Sequence, residues 1–452
     1  MTSARKAAWP FFVALLSCFV LHARALRADD GDTDPAFGDG NQVLLERPVE
    51  FGNGQAWVGD VATLPDGRIA WVMENGIGAL LVARMRRDGE ADPSFAGNGL
   101  LVLDDCVASR PARMVALDDG GMVVWAGACL VRILADGTVD AEFIAARGGP
   151  SSTFFAARLL RDPLGRWLLA GNEGQEWRVY RFLADGALDA GFADAGVATI
   201  VTPSTNGTRT LHAMTLRPDG RIVVAGHRGN THGTNLVLAG LGPDGAPDAS
   251  FGEDGLVDMD APAGYNSVGA KAIAIDRDGS ILVGGDANNG MQSCCVLFAR
   301  LGPDGAADPA DLRIFPLGPN VSLSAFGGET STTLALLPGG KILLARVSFP
   351  FVVTTRTRFT LVRMLGDGSL DPDFGEDGWR SYVVTDPAGQ GQSGPYSQIH
   401  GMAYANGEAL MFGRTFFEDN AIGPDYVTLM RARFDALFVD GFGSGAVDDP
   451  GG

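Results

Sequence analysis

The sequence has few cysteines and few basic residues for a chain of 452 residues. Cysteine occurs five times, and 35 Lys and Arg stand against 54 Asp and Glu, which gives a formal net charge of -19. No CxxC pair is present, so the spacing of a cysteine zinc site is missing. Lys and Arg form no basic stripe, which excludes nucleic acid as an expected partner because phosphate binding requires one.

Helical patterns and catalytic motifs are scarce as well. No GxSxG sequence occurs, so no nucleophile elbow is expected. The letters of GQGQSG (389–394) fit GxGxxG, but no helix pattern follows them, so they do not predict a phosphate cradle. What recurs instead is the short apolar run, such as RIVVAG (221–226) or ILVGG (281–285), which is typical of a buried strand.

Residues 1–25 have the pattern of a secretory signal peptide. Arg5 and Lys6 precede an apolar stretch (7–21) that is short for a bilayer span, and Ala23-Arg24-Ala25 has the form of a cleavage site. We therefore expect a chain exported to the periplasm or the extracellular space, with no membrane span. The alternative is a lipoprotein attached through Cys18.

A two-part signature occurs seven times along the chain. Its first part is an apolar run, an Asp-Gly turn and a second apolar run, as in LRPDGRIVVAG (216–226). Its second part is a strand ending in DGxxDxxFGxDG, as in GPDGAPDASFGEDGLV (242–257). The spacing is about 56 residues, and internal repeats of that length indicate a solenoid or a propeller. The glycine of the first turn recurs as Gly67, Gly120, Gly165, Gly220, Gly279, Gly340 and Gly407.

Each repeat has room for four antiparallel strands, which we denote a to d. The Asp-Gly turn joins strands a and b, a loop leads to strand c, and the DGxxDxxFG connection leads to strand d. Strands b and c are apolar almost throughout, so both faces of each sheet need cover, as in stacked propeller blades. The repeated Phe is expected to wedge against the neighbouring blade, at Phe95, Phe143, Phe192, Phe251, Phe374 and Phe442.

The ends of the repeat array predict how the ring closes. The segment DPAFGDGNQVLLE (34–46) is the end of a connection followed by one strand d, and VDGFGSGA (439–446) is a connection without its strand. We therefore expect an all-β, seven-bladed β-propeller of four-stranded antiparallel blades, closed by the N-terminal strand joining the last blade. The predicted organisation is signal 1–25, linker 26–33, propeller 34–446 (blades 61–105, 112–150, 156–201, 212–258, 270–318, 331–384 and 400–436 plus 41–46) and tail 447–452.

The repeat pattern resembles the Delta-60 repeat family of exported bacterial proteins. The resemblance lies in strand–DG–strand followed by RL-x-x-DG-x-x-D-x-x-FG-x-DG, and it covers residues 34–446. It implies a propeller-like fold and export, and it implies no particular substrate.

Chain order separates the loops into two faces of the predicted ring. The a–b and c–d turns are short and similar between repeats, which suits a structural role. The d–a and b–c loops differ from repeat to repeat, and we call their side the variable face, where binding is expected. The candidate binding residues there are Trp57, Tyr265, Lys271, Tyr396, His212 and His400.

Aromatic residues are frequent in the segments predicted as variable loops. They are Trp57, Phe154, Phe155, Trp177, Tyr265, Phe326, Phe349, Phe351, Tyr396, Phe416 and Phe417. Exposed aromatics suggest a sugar-binding or protein-binding surface, whereas aromatics folded under their own loops would form local cores. Cys106 and Cys129 fall in the same kind of loop around the second repeat, where a disulfide between them would staple the blade with the poorest connection.

His212 and His400 occupy equivalent positions at the predicted start of strand a, and Lys271 and Thr332 share that position in two other repeats. A histidine pair at the channel mouth could bind a metal or act as acid and base; the alternative is a polar, hydrated lining. His227 and His232 lie in one predicted b–c loop and are a weak metal signal.

The acidic connections raise the question of calcium. Asp30, Asp32 and Asp34 alternate, but Pro35 stands where a calcium loop has Gly. The alternative for the connection carboxylates, such as Asp244, Asp248, Asp367 and Asp371, is acceptance of backbone N–H bonds in turns. We expect no required cofactor, with calcium as the alternative.

Two functions remain open from the sequence. The first is an exported, monomeric scaffold that binds a protein or a glycan through its variable face. The second is a metal-dependent propeller hydrolase or lactonase with its site at the channel mouth near His212, Lys271 and His400. An envelope structural protein is a third and plainer alternative.

Overall fold

The computed structural model describes residues 30–39, 41–46, 57–74, 79–104, 112–127, 129–143, 149–151, 153–202, 208–229, 233–289, 293–308, 311–316, 321–322, 333–350, 358–385, 396–416 and 425–434. The predicted signal segment (1–25) and tail (447–452) lie outside these residues. The described part is all-β, with a short 3-10 turn over Pro338–Gly340.

The strands follow the repeats in order. The N-terminal segment contributes β1 (Asp32–Thr33) and β2 (Gln42–Glu46). Unit 1 has β3 (Trp57–Thr63), β4 (Ile69–Glu74), β5 (Leu80–Met85) and β6 (Leu100–Leu103), and unit 2 has β7 (Arg113–Ala116), β8 (Met122–Ala126) and β9 (Cys129–Ile133). Unit 3 has β10 (Phe155–Arg161), β11 (Trp167–Glu173), β12 (Glu176–Phe182) and β13 (Val197–Ile200), and unit 4 has β14 (Arg209–Leu216), β15 (Ile222–Gly229), β16 (Thr234–Leu241) and β17 (Leu256–Met259). Unit 5 has β18 (Ser267–Ile275), β19 (Ile281–Asn288), β20 (Ser293–Leu301) and β21 (Leu312–Pro316). Unit 6 has β22 (Val321–Ser322), β23 (Thr333–Leu336), β24 (Ile342–Pro350), β25 (Arg358–Met364) and β26 (Trp379–Val383), and unit 7 has β27 (Tyr396–Ala405), β28 (Glu408–Phe416) and β29 (Asp425–Arg433).

Antiparallel pairing of sequence neighbours builds each unit. Units 4 and 5 form one eight-stranded sheet through a single parallel residue pair, Thr234 with Ser267, and the other units form separate sheets. Unit 2 has three described strands, whereas four were predicted, and unit 6 has the additional short strand β22. Strands β3, β14, β18 and β27 begin three or four residues before the approximate starts predicted for blades 1, 4, 5 and 7, because each continues past a bulge towards the variable face.

The N-terminal strands pair with β29, the last described strand. Strand β2 lies antiparallel to β29, with Gln42 opposite Met430 and Glu46 opposite Tyr426. Strand β1 pairs further along the same strand, with Asp32 opposite Arg433. Residues 42–46 thus take the position that strand d occupies in the other units.

Apolar cores lie between successive units rather than within one sheet. Each of seven buried clusters draws side chains from two units: 1 and 2, 2 and 3, 3 and 4, 4 and 5, 5 and 6, 6 and 7, and 7 and 1. In the last of these, Phe412 and Leu429 of unit 7 pack with Ile69 and Trp71 of unit 1, and the Trp71 and Phe412 ring centroids are 5.9 Å apart. The largest favourable term in this fold, burial of apolar surface, therefore acts between units.

The prediction of a phenylalanine wedge is confirmed for the described copies. Phe95, Phe143, Phe192, Phe251 and Phe374 each belong to a cluster shared with the following unit, and Phe442 lies outside the described residues. The Asp-Gly sequence in the c–d turn of the next unit explains how the phenylalanine ring packs there. A Cβ placed on Gly245 would lie 2.6 Å from the Phe192 ring, so this turn needs glycine for its close approach as well as for its φ of +87°.

In several units an arginine on strand c joins the wedge phenylalanine to the next unit. Arg181 donates from Nε to Asp189 Oδ2 (2.7 Å), its guanidinium lies 4.3 Å from the Phe192 ring centroid, and its Nη1 donates to the Pro243 carbonyl of unit 4 (2.5 Å). We call this arrangement the arginine clamp. Three other strand-c arginines donate an equivalent hydrogen bond to a backbone carbonyl in the c–d turn of the next unit. These bonds join Arg84 to Ala135, Arg300 to Gly366, and Arg431 to Arg87.

Unit 4 lacks the strand-c arginine because Gly240 stands in its place. A Cβ on Gly240 would lie 2.6 Å from the Phe251 ring, which fills the space of the missing side chain. Arg217 of the a–b turn makes the inter-unit bond instead, from Nη1 to the Pro303 carbonyl of unit 5 (2.5 Å).

Replacing Gly245 by alanine is expected to lower the free energy of unfolding by about 2–5 kcal/mol, because left-handed strain and a clash with Phe192 add together. Gly97 is the matched control: its φ is +80°, and nothing lies within 4 Å of a Cβ placed on it. Gly97→Ala should therefore cost only the backbone strain, about 1–2 kcal/mol. Denaturant unfolding of both variants measures the difference, and equal losses would contradict the packing role of Gly245.

Candidate functional site

A bulge in the first strand of several units creates the candidate site. The register of β14 skips His212, that of β18 skips Lys271, and that of β27 skips His400. The equivalence of these three positions is confirmed, but the residues lie within their strands rather than at the strand starts. Thr332 lies outside the described residues.

Two of the three predicted residues meet directly, and a third group joins them. Lys271 Nζ is 3.0 Å from His212 Nε2, and the same nitrogen is 3.3 Å from Nδ1 of His227. The two imidazole centroids are 5.1 Å apart. His227 was predicted in a loop but lies on β15, so its side chain reaches the neighbouring strand of the same sheet. His232 lies outside the described residues.

The histidines of this group are held neutral. Burial lowers the pKa of His212 well below its usual value, and the charge of Lys271 acts in the same direction. Burial and then Lys271 lower the pKa of His227 to about 4. Because an ammonium group already lies beside His212 Nε2, a divalent cation at that nitrogen would be repelled.

His400 is partly buried and lies apart from this group. Burial lowers its pKa to about 4, with smaller contributions from Arg414 and Arg113. Its Nε2 has no hydrogen-bond partner in the described part of the chain, His212 included. The predicted pairing of the two histidines is therefore not seen among the described residues.

A cavity of about 560 Å³ opens beside His212, between units 2, 3 and 4. We call it the loop cavity. Arg113 lies at one side, donating from Nε to the Ala156 carbonyl (3.2 Å) with Nη1 3.2 Å from Asp60 Oδ1. Asn172 holds the opposite wall by accepting from the Leu211 N–H (2.7 Å) and donating to its carbonyl (3.0 Å).

An exposed aromatic ring lies at this cavity. Phe155, the first residue of β10, is 48% exposed and lines the loop cavity. Its neighbour Phe154 is fully buried, with its ring centroid 5.3 Å from that of Tyr180, and Trp177 on β12 is also buried. The local-core interpretation thus applies to Phe154 and Trp177, and the exposed-surface interpretation applies to Phe155.

The remaining predicted site residues are placed only in part. Tyr265 is half-buried and packs against the core between units 4 and 5, with its N–H donating to the Pro262 carbonyl (3.0 Å). Trp57 and Tyr396 begin β3 and β27, but their side chains lie outside the described part. Cys129 begins β9, and Cys106 lies outside the described residues, so their disulfide stays a prediction.

The acidic connections use their carboxylates within the protein. Asp30, Asp32 and Asp34 contact Arg363, Arg380 and Arg431, respectively. The predicted turn bonds are confirmed, since backbone N–H groups two residues on donate to Asp244, Asp248, Asp367 and Asp371. Among the described residues, no three His, Cys, Asp or Glu side chains are grouped to hold a metal ion. Nor does any helix of this part have the length and apolar character to cross a membrane.

Comparison with known proteins found solved structures and one family. Residues 165–192, 217–251 and 277–310 match the family described as "Domain of unknown function (DUF5122) beta-propeller". No curated protein matches the chain.

Similar solved structures include a protein of unknown function from Dyadobacter fermentans, with 11% identity, 89% of this chain and 100% of that chain covered, and a TM-score of 0.45. The Nup133 β-propeller domain of Vanderwaltozyma polyspora has 8% identity, coverages of 87% and 100%, and a TM-score of 0.46. A gluconolactonase from Xanthomonas campestris has 16% identity, coverages of 90% and 97%, and a TM-score of 0.38.

The family matches coincide with the structural repeat. The first two segments run from an a–b turn through two strands to the wedge phenylalanine, and the third covers the same part of unit 5. These matches support a β-propeller repeat family for this chain.

Proposed function

We propose that the chain is an exported, monomeric seven-bladed β-propeller that binds a protein or a glycan through its variable face. The repeat is proposed to be that of the Delta-60 family. Ring closure is supported by contacts between units 7 and 1 of the same kinds that join other successive units: a shared apolar core, a wedge formed by Phe37, and an arginine clamp from Arg431 to Arg87. Pairing of β2 with β29 supports it further.

The binding function rests on the loop cavity. An exposed ring, Phe155, stands there beside hydrogen-bonding groups of Arg113, Asn172, Gln175 and Thr210. An aromatic surface next to fixed polar groups suits a sugar ring or a protein side chain, since it offers both apolar contact and directed hydrogen bonds.

Replacing Phe155 by alanine is expected to weaken ligand binding by at least about 1 kcal/mol, as truncation of an aromatic anchor does. The matched control is Leu164→Ala, because Leu164 is 74% exposed on the a–b turn of the same unit. Glycan arrays and pull-down with the purified protein identify the ligand, and calorimetry with that ligand compares the variants. Absence of any ligand, or equal losses for both variants, would overturn the proposal.

The second candidate, a metal-dependent hydrolase or lactonase, is favoured by one observation. The His212, His227 and Lys271 cluster is partly buried and has strongly lowered histidine pKa values, as catalytic groups often do. Its test is metal analysis of the purified protein together with lactone hydrolysis by wild type and His212→Ala. Because Lys271 opposes a cation at His212 Nε2, lactone hydrolysis that His212→Ala abolishes would favour the enzyme over the scaffold, and a stoichiometric divalent ion that His212→Ala retains would place the metal elsewhere.

Export is proposed from the pattern of residues 1–25. Removal of these residues should retain the protein in the cytoplasm on cell fractionation, and the Cys18→Ser variant distinguishes a cleaved signal from a lipoprotein.

A further inference from the structure

A second cavity, of about 730 Å³, lies on the opposite face from the loop cavity and shares no lining residue with it. It is formed by the a–b turns of units 3, 4 and 5, and we call it the turn cavity. Each turn brings one arginine to its wall: Arg161, Arg217 and Arg277. The sequence pattern assigned these turns a structural role only.

The acidic residues of the turn cavity are already neutralised from outside it. Asp162 accepts from Arg166 Nε (2.6 Å), and Asp276 lies 2.8 Å from Arg300 Nη2. Neither Arg166 nor Arg300 lines the cavity. The positive charge of the three lining arginines is therefore not cancelled by the carboxylates beside them.

The arginines differ in how they are held. Arg161 lies 5.5 Å from the Trp167 ring centroid, and Arg217 is fixed by its bond to the Pro303 carbonyl. Within the described residues, neither Arg161 nor Arg277 forms an ion pair with a carboxylate, and both side chains are exposed to solvent. Of the three lining arginines, Arg217 is the one that forms an ion pair in the described part, with Asp219 at 4.0 Å.

The arrangement is confined to one side of the molecule. The corresponding turns of units 1 and 2 carry Asp66, Asp118 and Asp119 and no arginine before the glycine. In a chain of net charge -19, a cavity lined by three arginines from three successive turns is a local reversal of sign. Guanidinium groups bind carboxylate, sulfate and phosphate oxygens in bidentate fashion.

We infer that the turn cavity binds a small ligand carrying two or more oxyanion groups, held between Arg161, Arg217 and Arg277. The cavity exceeds the volume of one such group, and Pro163, Leu216, Pro218 and Ile275 give it apolar walls for the rest of the ligand. This inference is independent of the function proposed for the variable face.

Calorimetric titration with citrate, inorganic pyrophosphate and acetate at a constant ionic strength of about 0.1 M tests the inference, since the screening length is then about 10 Å. We expect citrate or pyrophosphate to bind saturably at least about tenfold tighter than acetate. Tighter citrate binding indicates a carboxylate ligand, and tighter pyrophosphate binding a phosphate ligand. No saturable binding of either probe would overturn the inference.

Charge reversal separates a site from general surface charge. Arg277→Glu and Arg161→Glu should each weaken binding of the better probe by at least about tenfold. Arg86→Glu is the matched control, because Arg86 is 48% exposed on a c–d turn of the same face and lies outside the cavity. Equal weakening by the cavity variants and the control would contradict a site in the turn cavity.

Discussion

Replacing Asp34 by alanine is expected to lower the free energy of unfolding by about 3–5 kcal/mol, because the buried Arg431 loses its hydrogen-bonded counter-charge and keeps only Glu408, 3.5 Å from its Nη1. Asp34 is fully buried, accepts from Arg431 Nε (2.9 Å) and lies 2.6 Å from Arg433. Arg431 in turn bonds the Arg87 carbonyl of unit 1. The substitution therefore weakens the clamp between the last unit and the first.

The control for this variant is Asp39→Ala, which makes the same charge change in the same connection. Asp39 is exposed, and its described contact is through the backbone. Denaturant unfolding measures the free energy of unfolding of both variants, and an unchanged dependence on denaturant concentration shows that only stability has changed. Equal stability of Asp34→Ala and Asp39→Ala would mean that the clamp at units 7 and 1 does not form.

The same carboxylate predicts how stability depends on pH. Burial acts to raise the pKa of Asp34, but the Ala36 N–H and the nearby Arg431 and Arg433 outweigh it, so the pKa lies below its usual value. A lowered folded-state pKa stabilises the protein above the unfolded-state pKa of about 3.9, and that contribution is lost as the pH falls through the folded-state value. Between about pH 5 and pH 3, wild type should lose more stability than Asp34→Ala. Parallel losses would contradict the ionised pair.

Phe192→Ala is expected to cost about 3–5 kcal/mol as well, since it empties a fully buried ring site between two units. The ring packs in the core shared by units 3 and 4 and lies under the guanidinium of Arg181. Phe155→Ala makes the same chemical change on an exposed ring and should leave the unfolding midpoint nearly unchanged. If both variants lost a similar amount of stability, the main apolar core would not lie between the units.

Combining Phe192→Ala with Gly245→Ala tests the contact itself. Removing the ring makes room for the Cβ that it excludes, so Gly245→Ala should cost less in the Phe192→Ala background, with a coupling of about 0.5–3 kcal/mol. Additive losses would indicate that the turn glycine and the wedge do not meet.

The repeat made most of the fold predictable. Strand order, the antiparallel pairing of neighbours, the phenylalanine wedge and the pairing of residues 42–46 with the last strand follow from the spacing of the Asp-Gly turns. The strand-c arginine recurs in the sequence, but its role could not be predicted because its partners, such as Pro243 for Arg181, are about one repeat away. Seven blades in a closed ring remain the proposal that these contacts support.

Only the part of the candidate site that lies at equivalent positions of the repeats could be predicted from the sequence. Alignment of the repeats placed His212 and Lys271 at the same position, but the bulges that turn them towards each other have no sequence signal of their own. His227 was assigned to a loop rather than to this group, because β15 extends beyond the apolar run that marks it. The loop cavity and the turn cavity are each lined by side chains of three units, so no local sequence pattern predicts them.

Hydrogen–deuterium exchange of the β2 amides tests the central claim most directly, because a closed ring requires residues 42–46 to be a strand of the last sheet. The account predicts that these hydrogen-bonded amides exchange as slowly as those of β28 and β29, and that Asp34→Ala speeds their exchange. Exchange of residues 42–46 at the rate of an unstructured peptide, while β28 and β29 stay protected, would contradict it.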